Sequence, residues 1–315
     1  TSMCSTCAPL NPACPAAELR LYLQDLGVQV VMVRAGEAGP VGAVARELGL
    51  TVVEIGSDPA QPAGQLHIAV PHAAEAAPPA VMPGADDIAL ILHTSGTTAR
   101  PKIVPLGQAN LVASALNIAR HLELRPGDRC LNVMPLFHIH GLVGALLSTM
   151  ASGGSIVCTP GFDDHLFFDW TARFDPTWYS AVPTIHQSVV ESGAQYRQKA
   201  PAHRFRFVRS SSAALAPAVF HRLQELTGAP VIEAYGMTEA SHQMASNPLP
   251  PGVRKPGSVG IAAGVDIALM GDDGQLLASG ETGEIVIRGP GVFAGYENHP
   301  HANASSFTHG WFRTG

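Results

Sequence analysis

Residues Ile88-Ala89-Leu90-Ile91-Leu92 run directly into His93-Thr94-Ser95-Gly96-Thr97-Thr98-Ala99-Arg100-Pro101-Lys102. The first five are apolar without a break and read as a buried strand. The next ten carry hydroxyls at Thr94, Ser95, Thr97 and Thr98, with Gly96 between them and Lys102 at the end. A flexible loop of this composition offers backbone N–H groups, hydroxyl donors and a point positive charge, which together suit phosphate oxygens. A bare Ser/Thr cluster would read as a polar surface turn. Pro101-Lys102 behind a buried strand favours phosphate. The pattern is not the G-x-x-x-x-G-K-[ST] of P-loop NTPases.

Outward from this stretch, strand and helix patterns alternate. Upstream, Leu19, Tyr22, Leu23 and Leu26 share one helix face and Gly27 stops it. Val28 to Val33 reads as a strand, Val41 to Leu48 as a helix and Val52 to Ile55 as a strand. Pro71 to Asp87, with prolines at 71, 78, 79 and 83, reads as a linker or surface loop. Downstream, a helix is predicted from about Gln108 to Leu124, a strand at Leu131 to Val133, and further pairs up to Val231 and Ile232. After Gly257 the texture changes. Short strands at Val265–Met270, Gln275–Leu277 and Gly283–Arg288 are separated by Gly271-Asp272-Asp273-Gly274 and Gly280-Glu281 turns. Repeated α and β units imply a helix-covered sheet over residues 1–258, followed by an antiparallel β unit over 259–315.

Composition narrows the classes. Hydrophobic residues are 46% of the 315, enough for a large core, and the net charge of −6 argues against nucleic acid as a partner. Lysines are few: Lys102, Lys199 and Lys255. Cys4 and Cys7 form one C-x-x-C without a second pair, so the five cysteines read as reduced thiols, not as a zinc site. No signal peptide is visible, and Gly141 to Ala151, the most apolar helical stretch, is far shorter than the ~20 residues of a membrane span. A cytoplasmic location is expected.

Three further stretches carry candidate chemistry. Glu233-Ala234-Tyr235-Gly236-Met237-Thr238-Glu239 follows a strand, where ligands bind in open α/β sheets. Its aromatic face suits a base, its hydroxyl a phosphate and its carboxylate a magnesium ion. A capped helix start fits the same residues equally well. Ser210-Ser211-Ser212-Ala213-Ala214-Leu215 is small enough for a ligand to approach the backbone, and also suits a helix entry before Pro217. Pro135-Leu136-Phe137-His138-Ile139-His140-Gly141 holds two histidines without a nearby carboxylate, a weak metal pattern.

These motifs, in this order, resemble the adenylate-forming enzymes, among them acyl-CoA synthetases, luciferases and peptide-synthetase adenylation domains. The T-S-G-T-T-x-x-P-K, P-L-F-H and Y-G-x-T-E patterns all match, with Ala99 where Gly or Ser is usual. The resemblance spans essentially the whole chain. It implies two Rossmann-like α/β subdomains followed by a small antiparallel β subdomain. It implies ATP and AMP binding by Thr94, Ser95, Gly96, Thr97, Thr98, Lys102, Ser212, Ala213, Glu233, Ala234, Tyr235, Gly236 and Thr238. Tyr235 would stack on adenine, Thr238 would contact the α-phosphate and Glu239 would bind Mg²⁺. His138 would lie by the carboxylate being activated, so Lys102, His138, Thr238 and Glu239 form the catalytic set.

The expected reaction joins a carboxylate, ATP and coenzyme A through an acyl-adenylate. Polar residues crowd the expected acyl side: His138, His140, Ser211, Ser212, His242 and Gln243. A small acid with a second carboxylate would pair with them, and His138, Ser211, Ser212 and His242 are the substrate-binding candidates. The segments around His138, Ser211 and His242 also resemble the oxalyl-CoA synthetase branch, which implies oxalate. Medium- or long-chain acyl-CoA synthesis, carrier-protein loading and an inactive nucleotide-binding fragment remain the alternatives. Gly310-Trp311-Phe312-Arg313-Thr314-Gly315 matches W-x-x-T-G-D as far as the glycine. The chain thus looks truncated at both ends, without the ribose-binding Asp and the C-terminal domain. On its own it is expected to be inactive.

Overall fold

The computed structural model describes residues 5–37, 39–58, 60–62, 65–70, 81–94, 101–196 and 205–315. The chain divides into two compact units, Leu10–Val81 and Thr1–Pro9 with Met82–Gly315. In the first, helix α1 (Ala16–Asp25) turns Leu19 and Leu23 inward, one helical turn apart. Strand β1 (Val30–Arg34), helix α2 (Pro40–Glu47) and strand β2 (Thr51–Gly56) follow, with β2 parallel to β1. Strand β3 (His67–Ala69) adds antiparallel to β2. Leu23, Val31, Val44, Ala45 and Val52 form this unit's core.

The second unit opens with strands β4 (Ile88–His93) and β5 (Ile103–Gly107), an antiparallel pair with His93 opposite Ile103. They bracket the hydroxyl-rich loop, and Ser95, Gly96, Thr97 and Thr98 of that loop lie outside the described residues. Helix α3 (Gln108–His121) begins at once, its first turn fixed by Asn110, whose side-chain oxygen accepts from Gly107 N. It ends earlier than Leu124, because the chain leaves helical backbone at Glu123, φ 48°.

Next come strand β6 (Arg129–Asn132), a π-helix (His140–Leu147), helix α4 (Ser148–Ala151), strand β7 (Ser155–Cys158) and helix α5 (Phe167–Phe174). Strand β8 (Trp178–Ala181), helix α6 (Pro183–Tyr196), strand β9 (Phe207–Ser210), helix α7 (Pro217–Thr227) and strand β10 (Val231–Met237) complete the repeat. Strands β11 (His242–Ser246) and β12 (Ile261–Ala262) close a seven-stranded sheet ordered β12-β11-β10-β9-β8-β6-β7. Strands β10, β9, β8, β6 and β7 are parallel, whereas β11 and β12 run antiparallel. The β1-α2-β2 and β8-α6-β9-α7-β10 runs are Rossmann-like repeats, and the central strands are buried end to end, as helix cover on both faces requires.

Strands β13 (Asp266–Met270) and β14 (Glu284–Arg288), helix α8 (Pro300–Ser306), and strands β15 (Phe307–Thr308) and β16 (Trp311–Arg313) follow. The four strands form an antiparallel sheet ordered β13-β14-β16-β15. The strand expected at Gln275–Leu277 reduces to one bridge, Met270 to Leu276, because β14 already pairs with β13 along its length. Among the described residues, no helix is long and apolar enough to cross a membrane.

Candidate active site

The β10–β11 hairpin is the spine of the site. Glu233–Glu239 is thus neither a plain loop nor a helix start: β10 continues to Met237 and folds back on β11. Register slips between Tyr235 and Gly236, a bulge that re-aims the side chains beyond it. Gly236 is needed here, since a Cβ would collide with the His242 carbonyl oxygen. Thr238–Ala240 make one 3-10 turn, and the chain returns through Ser241 at φ 51° and His242 at φ 105°. Ser212 sits at φ 77°. Left-handed backbone at non-glycine residues costs about 1–3 kcal/mol each and concentrates at functional sites.

Arg209 is the centre of one polar cluster. It is fully buried on β9. Its Nη1 donates to Ser180 Oγ at 3.0 Å and its Nη2 to Gln243 Oε1 at 2.8 Å. Its Nε has no acceptor, and among the described residues no carboxylate pairs with it. Burial pulls the guanidinium down to about 9, so it is still charged at neutral pH.

His140, at the start of the π-helix, lies with Nε2 2.7 Å from Ser180 Oγ and Nδ1 3.1 Å from Ser212 Oγ. His242 meets it edge-on with ring centroids 5.0 Å apart, and neither His242 nitrogen has a partner. Gly144 makes room: a Cβ there would stand 2.5 Å from His242 Nε2. Gln243 Nε2, Ser210 Oγ and Ser241 Oγ are also buried without partners. Burial, reinforced by the Arg209 charge, holds both imidazoles well below their ordinary value, so they are neutral. Buried polar atoms are nearly always hydrogen-bonded, so these unpartnered atoms make the surroundings of Arg209 and His242 a candidate polar site.

The second cluster is closed. Glu239 is buried, and its Oε1 accepts from Tyr296 Oη at 2.8 Å. Lys102 Nζ stands 4.4 Å from the centre of the same ring. Thr94 N donates to Lys102 O at 3.0 Å and ties the base of the hydroxyl loop. Burial and the Glu239 charge raise the Tyr296 hydroxyl, which therefore remains a donor.

The other expected residues are spread around these two. His138 is exposed, its ring 4.7 Å from Phe137, and burial of part of it lowers its pKa. Ser211 Oγ donates to Ala234 O at 3.1 Å. Glu233 is buried and its Oε1 accepts from Gly257 N at 2.7 Å. Tyr235 and Thr238 are half-buried and Ala213 is exposed. The structure therefore gathers His140, Ser212, His242 and Gln243 around Arg209, and Lys102 and Glu239 around Tyr296. His138 stays outside the buried cluster. Arg209, Ser180, Gly144 and Tyr296 were given no role of their own by the motifs. An arginine directly after the strand residues Phe207-Val208 was the available signal for the first.

The family model of AMP-binding enzymes matches residues 3–297. The chain belongs to this family. Among curated proteins it is 42% identical to an oxalate–CoA ligase of Saccharomyces cerevisiae, over 98% of this chain and 60% of that protein. It is 41% identical to an oxalate–CoA ligase of Arabidopsis thaliana, over 99% of this chain and 61% of that one. The chain thus spans about 60% of the length of these curated relatives. Among solved structures, ATP-bound MatB from Rhodopseudomonas palustris superposes with a TM-score of 0.80 at 31% identity, covering 98% of this chain and 60% of that one.

Proposed function

We propose that this chain carries the nucleotide and acyl sites of an ATP-dependent carboxylate–CoA ligase acting on oxalate. The observation that carries the choice of acid is Arg209: a buried guanidinium with no carboxylate partner, beside two neutral imidazoles and several unpartnered donors. A second carboxylate would supply the missing charge and acceptors. A long alkyl tail would leave those groups unpaired at about 1–3 kcal/mol each. The names of the oxalate–CoA ligase relatives support the same acid.

In the first step, an acid oxygen attacks the α-phosphorus of ATP, the P–O bond to pyrophosphate breaks, and an acyl-adenylate forms. The thiolate of coenzyme A then attacks the acyl carbon and AMP leaves with the bonding pair. The protein supplies position and charge in place of covalent chemistry. Tyr235 would stack on adenine. Thr238 and Lys102 would hold the phosphates, together with the hydroxyl loop Thr94–Thr98 on the strength of its composition. Ser212 and Ala213 line the boundary of adenine and acid, and His138 stands on the exposed side where the reacting carboxylate enters.

Glu239 fits magnesium: one carboxylate oxygen is fixed by a phenol and the other has no donor among the described residues. Bound there with the nucleotide, the ion would neutralise phosphate charge. The body over 1–258 and the β subdomain over 259–315 are the proposed division of labour, and a cytoplasmic location fits free thiols at Cys7, Cys14, Cys130 and Cys158.

The test is acid-dependent ATP–pyrophosphate exchange, in an otherwise complete enzyme that contains this chain, with Mg²⁺ and a panel of oxalate, malonate, acetate, octanoate and palmitate. Oxalate should give the highest kcat/KM. Preference for octanoate or palmitate would overturn the choice of acid, and exchange with none of them would leave a nucleotide-binding protein without adenylating activity.

A further inference from the structure

We propose that Tyr296 is a positioning residue that keeps Lys102 and Glu239 apart and aims each at the magnesium–nucleotide end of the site. This rests on the reading of Glu239 as the magnesium-facing carboxylate. Three distant segments meet at this ring: the start of β5, the 3-10 turn after β10, and the loop before α8. The phenol donates to Glu239 Oε1 at 2.8 Å, and the ring face carries the Lys102 ammonium at 4.4 Å. Among the described residues Lys102 makes no ion pair. An ammonium and a buried carboxylate with nothing between them would pair with each other. Interposing an aromatic ring gives the cation a face and the anion a single neutral donor. Each charge is fixed in place and still available to an opposite charge on a ligand.

The ring itself is held on every side. Tyr296 N donates to Asn303 Oδ1 at 2.8 Å, and Asn303 Nδ2 donates back to Tyr296 O at 2.8 Å. Gly295 before it takes φ +140° and would meet Asn303 with a Cβ at 3.1 Å. Phe293 packs edge-on at 4.9 Å, while its N donates to Glu239 O at 2.8 Å. Glu297 N donates to Ile103 O at 3.1 Å, next to Lys102. One short loop therefore touches the backbone beside both charged groups and the side chains of both. The paired Asn303 bonds are made to the Tyr296 main chain and fix the point from which the ring projects.

The experiment measures Mn²⁺ binding by electron paramagnetic resonance with the full chain and ATP, and ATP binding without metal by calorimetry. Tyr296→Phe keeps the ring under Lys102 and removes the donor to Glu239. It should weaken Mn²⁺ about tenfold and change metal-free ATP binding by less than about twofold. Asn303→Ala should shift Mn²⁺ affinity in the same direction, through the looser ring. In a Glu239→Gln background, Tyr296→Phe should add nothing, because the hydroxyl acts through that carboxylate. Equal weakening of Mn²⁺ and of metal-free ATP, or an additive effect in the double variant, would reduce Tyr296 to packing and overturn the proposal. If Glu239→Gln alone leaves Mn²⁺ affinity unchanged, the metal reading of Glu239 falls and this inference with it. If Glu239→Gln lowers affinity and Tyr296→Phe does not, only this inference falls.

Discussion

The two polar clusters of the second unit differ in how their hydrogen bonds close. Around Tyr296, each charged side chain has one contact in place, phenol to Glu239 Oε1 and ring face to the Lys102 ammonium, on a main chain fixed by Asn303. Around Arg209, the guanidinium, both nitrogens of His242 and the Gln243 amide end in unpartnered atoms. The first arrangement is organised before any ligand arrives. The second holds an uncompensated positive charge in a low-dielectric interior, which destabilises the empty fold and favours whatever anion fills it. On the proposed function, preorganisation would suit the nucleotide and stored electrostatic demand would suit the acid.

Substitution at the centre of each cluster separates these roles. Arg209→Met should lower kcat/KM for oxalate by about 10³-fold, the cost of about 3–5 kcal/mol expected when one partner of a buried charge pair is removed. The same variant should leave unfolding free energy unchanged or raise it by about 1–4 kcal/mol, since a desolvated charge is gone. Denaturant melts beside exchange kinetics check both halves, and a loss of stability together with activity would make Arg209 structural. Glu239→Gln should cut adenylate formation by about 10²-fold for every acid alike, as for other lost electrostatic stabilisers. A loss confined to oxalate would place Glu239 in the acid site.

Much of this contrast could be read from local pattern. The apolar run before His93, the hydroxyl loop after it and the Tyr235–Glu239 stretch all stand out because chemistry and strand signals adjoin in sequence. The parallel repeat and the late antiparallel strands were legible for the same reason. What could not be read were features made by distant partners. β10 extends past Ile232 because β11 pairs with it, and no window around Tyr235 contains that partner. Ser180 and Arg209 lie 29 residues apart and meet only because β8 and β9 are neighbours. Tyr296 and Glu239 are 57 residues apart. His138 and His140 share one motif, and sequence alone did not tell that His140, at the start of the π-helix, takes the buried position while His138 stays exposed.

Smaller effects sharpen the acid cluster. His242→Ala should raise KM for oxalate about tenfold and that for acetate much less, because one neutral hydrogen bond is worth about 1 kcal/mol and its loss in a buried site somewhat more. Equal effects on both acids would remove His242 from the specificity set. On the alkaline side, Arg209 stays protonated until about pH 9. Oxalate affinity should be flat up to that point and then fall about tenfold per pH unit. An Arg209→Met variant should lose that inflection.

The acid side gives the smallest and most diagnostic change. Burial depresses His140 and His242 well below their ordinary value, and His186 to about 4. In the unfolded chain each imidazole takes its proton near pH 6.5. Below that pH the unfolded state binds more protons than the folded one, so stability present above about 6.5 is lost as pH falls. The expected slope is about 1.4 kcal/mol per pH unit for each buried neutral imidazole. Urea melts at pH 7.5 and 5.5 should show that loss, and His242→Gln should make the slope shallower by one imidazole's share. Bound oxalate should shift the balance further: an anion beside His140 and His242 raises their proton affinity in the folded state, so the acid loss should shrink with oxalate present. An unchanged slope in His242→Gln would mean that this ring titrates in the folded protein, and the neutral-donor description of the acid cluster would have to be given up.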